Sequence, residues 1–254
     1  MKKIIARILK FLLIGIVLLG IGFGVLFFVT NKPLPTGEAG PEAEVLAQQM
    51  LKAVNKEAWD KTRYIAWTFH GSGQHHYVWD KEKKWVRISW GENYMVLLNL
   101  NTLGGYAYQD GTAVSNNEQK KLLKKAYKYF INDSFWLNAP VQVINPDTER
   151  KIVITEDKDT ALLVTYNSGG VTPGDSYLWY FDDLGRPKKW RIWASILPIG
   201  GVEFTWEGWE TVNNSVQIST LHKGSLLDVK ISNLKAGNKI SRLGLNVDPF
   251  AGIE

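Results

Sequence analysis

Residues Phe11 to Val29 (FLLIGIVLLGIGFGVLFFV) are 19 in a row without a charge or a strongly polar side chain. In a helix such a run spans about 28 Å, close to the hydrocarbon thickness of a bilayer. It is longer than the roughly 7–15-residue apolar stretch of a cleaved signal peptide. It also leads into Phe27-Phe28-Val29-Thr30-Asn31-Lys32-Pro33 without a small-residue cleavage pattern. The run is therefore expected to persist as a signal anchor, a single transmembrane helix. Lys2, Lys3, Arg7 and Lys10 precede it, which places the N-terminus in the cytoplasm and the rest of the chain on the outer side. In a cell with two membranes that side is the periplasm. Gly20 and Gly24 form one small-xxx-small pair, which ordinary membrane-helix composition explains without a dimer.

The charge follows the same division. The 254 residues hold 30 Lys and Arg against 25 Asp and Glu, a net of +5, of which the first 30 residues supply +4. The body is thus nearly neutral and lacks the basic surface that nucleic acid demands. With no cysteine, disulfides, thiolate metal sites, a thiol nucleophile and a lipid-modified N-terminal cysteine are all excluded.

Asn31–Pro41 (NKPLPTGEAGP) cannot continue a helix and is expected to be a linker over 31–41, after an anchor unit over 1–30 and before an exported domain over 42–254. Pro41 opens a helix reaching about Glu57, with Val45, Leu46, Met50, Ala53 and Val54 on its expected buried stripe. From Arg63 the apolar period changes from helical to two. About 12 strand-like runs follow, among them Gln74–Asp80, Gly105–Gln109, Ser176–Phe181, Val202–Trp209, Val216–His222 and Leu226–Ile231, joined by short Gly- and Asp-rich turns such as Gly71-Ser72-Gly73 and Asp182–Pro187. One helix, Glu118–Ile131, interrupts them, with Lys120, Lys121, Lys124, Lys125 and Lys128 on its solvated side. No strand–helix–strand alternation occurs, so no parallel sheet is expected. The expected fold is mainly β (α+β): a curled antiparallel sheet forming an incomplete β-barrel with one or two packed helices, preceded by the transmembrane helix. Leu234–Glu254 is expected to be an irregular tail.

All 11 tryptophans lie beyond the apolar run, nearly all in strands. They serve either a sheet–helix core or the wall of a cavity for an apolar ligand. Alternation puts Trp67 with Phe69 on one face, and Tyr177 with Trp179 and Phe181 on one face. The segment after the second helix places Asn132 and Asp133 beside Phe135 and Trp136. The candidate ligand-binding residues are therefore Trp67, Phe69, Asn132, Asp133, Phe135, Trp136, Asp175, Tyr177 and Trp179, with Asn132, Asp133 and Asp175 at the rim for a head group.

Catalytic chemistry has little support. His70, His75 and His76 with Asp80 are the densest set of potential zinc ligands, but adjacent His75 and His76 point to opposite faces of a strand, so no metal site is expected. Asp175, Ser176 and His222 could be assembled into a triad only without the strand–turn–helix elbow that such a serine needs. The paired acids Asp157/Asp159 and Asp182/Asp183 belong to turns. No cofactor and no enzymatic activity are expected.

The order of elements, with Asn132–Pro140, Val141–Pro146 and Thr172–Trp179, resembles the LolA/LolB-like lipoprotein-carrier fold over roughly residues 41–232. That resemblance implies an incomplete barrel whose open side is closed by helices around an apolar cavity for acyl chains. Those carriers are soluble or lipid-anchored, whereas this chain carries an anchor that would prevent shuttling. The expected function is non-covalent binding of a lipid or lipoprotein acyl chain by a membrane-anchored envelope protein. The alternative is an interaction module that docks another envelope protein, and a hydrolase ranks last.

Overall fold

The computed structural model describes residues 29–254 except 170, 171, 214, 252 and 254, and before them only 12, 13, 15, 16 and 22. The anchor expected over 11–29 lies largely outside the described residues, among which no helix is long and apolar enough to cross a membrane.

Two helices lead: α1 (Pro41–Ala53) and α2 (Lys56–Lys61). The single helix expected to reach Glu57 breaks because Asn55 turns left-handed (φ 57°) and caps α2, its Oδ1 accepting from the Ala58 amide at 3.2 Å. The buried face of α1 is Ala43, Ala47 and Met50, while Val45 is exposed. Alanines at that spacing let the helix backbone approach the sheet closely, which the apolar stripe had not anticipated.

Six strands follow: β1 (Tyr64–His70), β2 (Gln74–Asp80), β3 (Trp85–Trp90), β4 (Tyr94–Asn99), β5 (Gly105–Gln109) and β6 (Thr112–Ala113). After α3 (Asn116–Asn138) come β7 (Thr148–Ile154), β8 (Thr160–Tyr166), β9 (Ser176–Phe181), β10 (Pro187–Trp193) and β11 (Val202–Thr205). The last three are β12 (Glu207–Val212), β13 (Val216–His222) and β14 (Val229–Gly237), so the expected tail from Leu234 instead begins inside a strand.

Every pairing between these strands is antiparallel. They form a nine-stranded sheet, β12-β13-β14-β1-β2-β3-β4-β5-β6, and a five-stranded sheet, β11-β10-β9-β8-β7. The sheet is thus divided in two, and it does not close into a barrel. The two parts meet at one corner, where the chain passes from β11 to β12 through Trp206. The Thr205 amide donates to Lys223 O at 3.0 Å and the Trp206 amide to Lys188 O at 2.9 Å, so adjacent residues bond to different sheets. A bend at a shared strand is how sheets turn corners.

Helix α3 fills the space between the sheets. Leu122, Leu123, Ala126 and Phe130 pack on the nine-stranded sheet, and Phe135 and Trp136 reach the five-stranded one. The five lysines of its first half are exposed. The helix was expected to stop at Ile131. It continues to Asn138 because the polar residues that read as a stop find partners inside the fold: Asp133 is bonded to two side chains, and Ser134 Oγ donates back to Ile131 O at 3.5 Å.

The expected linker is tied to the fold at two points. Lys32 N donates to Gly200 O at 3.0 Å, Trp193 Nε1 donates to Lys32 O at 2.8 Å, and Gly200 N donates to Asn31 Oδ1 at 2.7 Å. Further on, Glu38 and Ile152 exchange backbone bonds of 2.9 and 2.8 Å, which shields part of the β7 edge. Two glycines permit this strap to lie so close. A Cβ on Gly200 would stand 2.8 Å from Lys32 O, and one on Gly37 would stand 2.7 Å from Ile152 O.

Candidate functional site

Between the sheets, beside the second half of α3, lies a cavity of about 440 Å³, a size typical of small-molecule sites. Its walls come from α3 (Ile131, Ser134, Phe135, Trp136), from β8–β11 (Tyr166, Tyr177, Trp190, Ile192, Phe204) and from Phe69 and Val229 of the larger sheet. Helical geometry sends the consecutive Phe135 and Trp136 in different directions. Phe135 meets Tyr166, Tyr177 and Trp190 at ring-centroid distances of 5.3, 5.1 and 5.9 Å. Trp136 meets Trp190 at 5.0 Å and Phe204 at 4.8 Å. Behind this wall Trp179 and Trp206 pack against Trp190 and each other, edge to face and tilted, 4.7–5.1 Å apart. Their indole nitrogens have no hydrogen-bond partner, so this cluster is held by ring packing and burial alone.

The mouth is made of loops. Ser72, Gln142, Asn145, Ser168 and Thr172 supply neutral polar groups there, and Ala194, Ile196, Leu197 and Leu227 supply apolar ones. Asp175 ties two of these loops together. Its Oδ2 accepts from Thr172 Oγ1 at 2.5 Å and its Oδ1 from the Ser195 amide at 3.0 Å. Burial, and after it the Asp175 carboxylate, pushes the Tyr177 phenol well above its ordinary range, so it remains a hydroxyl donor at neutral pH. Among the described lining residues Asp175 is the one charged side chain, and there is no lysine or arginine.

Six of the nine candidate residues line this cavity: Phe69, Asn132, Phe135, Trp136, Asp175 and Tyr177. Trp179 lies one layer behind, against Trp190. Trp67 stacks on Tyr77 at 4.4 Å in the core of the larger sheet, away from the lining. Asp133 is not a rim residue. It is buried, and its Oδ2 accepts from Tyr77 Oη at 2.6 Å and lies 2.6 Å from His75 Nδ1. Asn132 Nδ2 donates to its other oxygen at 2.9 Å, linking this polar knot to the cavity wall. Burial, and after it the Asp133 carboxylate, also holds the Tyr77 phenol far above its ordinary range.

The residues that sequence reasoning missed, chiefly Trp190, Ile192, Tyr166 and Phe204, are cross-strand neighbours of those it found. Ile192 pairs with Tyr177, and Trp190 with Trp179. The Asp182–Arg186 loop places Phe181 opposite Pro187, but an irregularity between Pro187 and Lys189 then shifts the register by one residue, so these pairs could not be read from the loop alone.

The three histidines weighed for zinc occupy separate environments. His70 Nε2 lies 2.8 Å from Ser232 Oγ, His76 Nδ1 lies 3.0 Å from Thr68 Oγ1, and His75 is in the Asp133 knot. Among the described residues no group of three potential ligands could hold a metal ion. The Asp175, Ser176 and His222 side chains are likewise engaged elsewhere, Ser176 Oγ with Thr165 Oγ1 at 2.8 Å and His222 Nδ1 with Thr205 O at 3.2 Å. Burial drives the His222 imidazole down to about 3, against smaller opposing effects of the Thr205 and Trp136 backbones, so it is neutral at physiological pH. The fold and site define an open antiparallel β protein with an aromatic cavity between two sheets.

No protein-family model matches the chain, and no curated protein matches it by sequence. Among solved structures it is similar to the crystal structure of a DUF1329 family protein from Desulfovibrio piger, with 8% sequence identity and a TM-score of 0.36. That match covers 76% of this chain and 92% of the other.

Proposed function

We propose that this chain is an envelope protein, anchored by residues 11–29, that holds an amphipathic lipid or the acyl chain of a lipoprotein non-covalently in a LolA-like half-barrel. The observation that carries the reading is the 440 Å³ space between the sheets, with aromatic rings on its walls and neutral polar groups at its mouth. Each methylene buried there contributes about 0.8 kcal/mol, so ten give about 8 kcal/mol before the costs of immobilisation. The charge of the lining narrows the ligand. A free carboxylate or phosphate would find no cation in the lining and would approach the Asp175 carboxylate. A neutral head group can instead accept from the Tyr177 hydroxyl and bond to the amides of Gln142 and Asn145.

A monoacylglycerol brominated along its chain tests this. It is expected to quench Trp136 and Trp190 fluorescence saturably, and the equally brominated free fatty acid at pH 7.5 to bind at least tenfold more weakly. Ala194→Trp, which fills the cavity from its loop, is expected to abolish quenching with an unchanged unfolding midpoint. Equal binding by both probes would refute the head-group preference, and quenching that survives Ala194→Trp would refute the site.

A further inference from the structure

The mouth of the cavity and the exit of the chain toward its anchor lie at the same end of the molecule. Both sheets bring one end of their strands there: the β1–β2 turn at Ser72, the start of β9 after Asp175, and the end of β10 at Ala194. Asn31 and Lys32 are bonded to Trp193 and Gly200, the residues that flank the mouth loop. A shallow groove joins them, lined by Lys32 and Leu34 of the strap, by Pro173 and Asp175, and by Leu197 and Pro198. Asp175 and Leu197 line the groove and the cavity alike. The apolar run ends at Val29, two residues before the docked Asn31, so at most about 7 Å of chain separates the two.

The mouth also carries apolar side chains that no part of the described fold covers. Ile196 is 69% exposed and Leu227 is 45% exposed, and both line the cavity. Leu226, next to Leu227, is 95% exposed, and Leu34 on the strap is 47% exposed. A strap tied down at Lys32 and again at Glu38 leaves little slack for this end to turn away from the bilayer.

We infer that this face is a membrane-docking surface, and that its occupant is the outer leaflet of the bilayer in which the chain's own apolar run sits. Ile196, Leu226, Leu227 and Leu34 enter the interfacial layer and hold the cavity mouth open onto lipid. An acyl chain then passes from the leaflet into the cavity without crossing water. The docking rests on the anchor proposed above, and this last step rests on the ligand reading as well.

The absence of cysteine makes a direct test clean. Ile196→Cys and Leu227→Cys at the mouth, and Leu103→Cys and Leu184→Cys in exposed turns at the opposite strand ends, each carry a nitroxide in the full-length chain. The chain is reconstituted in nanodiscs of phosphatidylethanolamine and phosphatidylglycerol. Collision with oxygen, which concentrates in the bilayer, is compared with collision with a water-soluble nickel chelate. The oxygen-to-nickel ratio is expected to be at least fivefold higher at 196 and 227 than at 103 and 184. Equal ratios at all four sites would overturn the docking surface. Quenching by the brominated monoacylglycerol, measured on the unlabelled native chain, separates the two readings. Aqueous labels with quenching remove the docking and leave the ligand, while buried labels without quenching leave the docking and remove the ligand.

Discussion

Replacing Asp133 with alanine is expected to lower the unfolding free energy by about 2–6 kcal/mol, since it leaves two buried hydrogen-bonding groups unpaired at about 1–3 kcal/mol each. The carboxylate is buried in the last two turns of α3 and is the shared partner of His75 Nδ1 and Tyr77 Oη, each at 2.6 Å. Without it both groups keep their desolvation and lose their bond, and His75, stacked on Tyr129 at 3.9 Å, has no room to turn to water. Asp133→Asn preserves the shape and one acceptor and is expected to cost about 1–3 kcal/mol. Urea unfolding with an unchanged slope checks both. A loss below about 1 kcal/mol for the alanine variant would show that the knot does not hold α3 between the sheets.

The second large effect is a pH dependence centred on His222. Its imidazole is buried among Trp136 and Trp206, at centroid distances of 5.3 and 4.4 Å, and burial depresses it to about 3. In the unfolded chain the same ring takes up a proton near pH 6.5. The neutral folded form therefore contributes its full stability above about pH 6.5 and loses it as pH falls toward 3, where the folded ring also protonates. The slope is about 1.4 kcal/mol per pH unit for one proton. His222→Met removes this titration and fills most of the space. The advantage of the native chain over the variant is thus expected to shrink by about 2 kcal/mol between pH 6 and pH 4.5. Parallel stability curves for the two proteins over that range would contradict the assignment.

Much of the strand order was legible because turn residues bracket the strands. Gln74–Asp80, Gly105–Gln109, Ser176–Phe181 and Val216–His222 run to the residue between the bounds expected from alternation and turns. Two kinds of signal misled. Polar residues inside α3 read as a helix stop, since nothing local announces that Asp133 will meet His75 and Tyr77, which are 58 and 56 residues away along the chain. Apolar residues in a loop read as strand: Leu226 and Leu227 were expected to open the last strand, which starts at Val229. The division of the sheet at Trp206 was also hidden, because Val202–Trp209 reads as one strand. The change of partner at Thr205 and Trp206 is a property of tertiary pairing alone. The cavity residues were recovered where alternation was enough, as at Tyr177, and missed where cross-strand register was needed, as at Ile192.

The most direct test of the cavity as a ligand site is native mass spectrometry of residues 31–254, which contain both sheets, the helices and the docked strap. The protein is exported during expression so that it meets envelope lipids, and it is purified without detergent. The expected result is a discrete adduct of several hundred daltons that extracts as a neutral-headed lipid and disappears in Ala194→Trp. A bare protein mass that stays unchanged after monoacylglycerol is added would contradict the account and leave the aromatic rings as core.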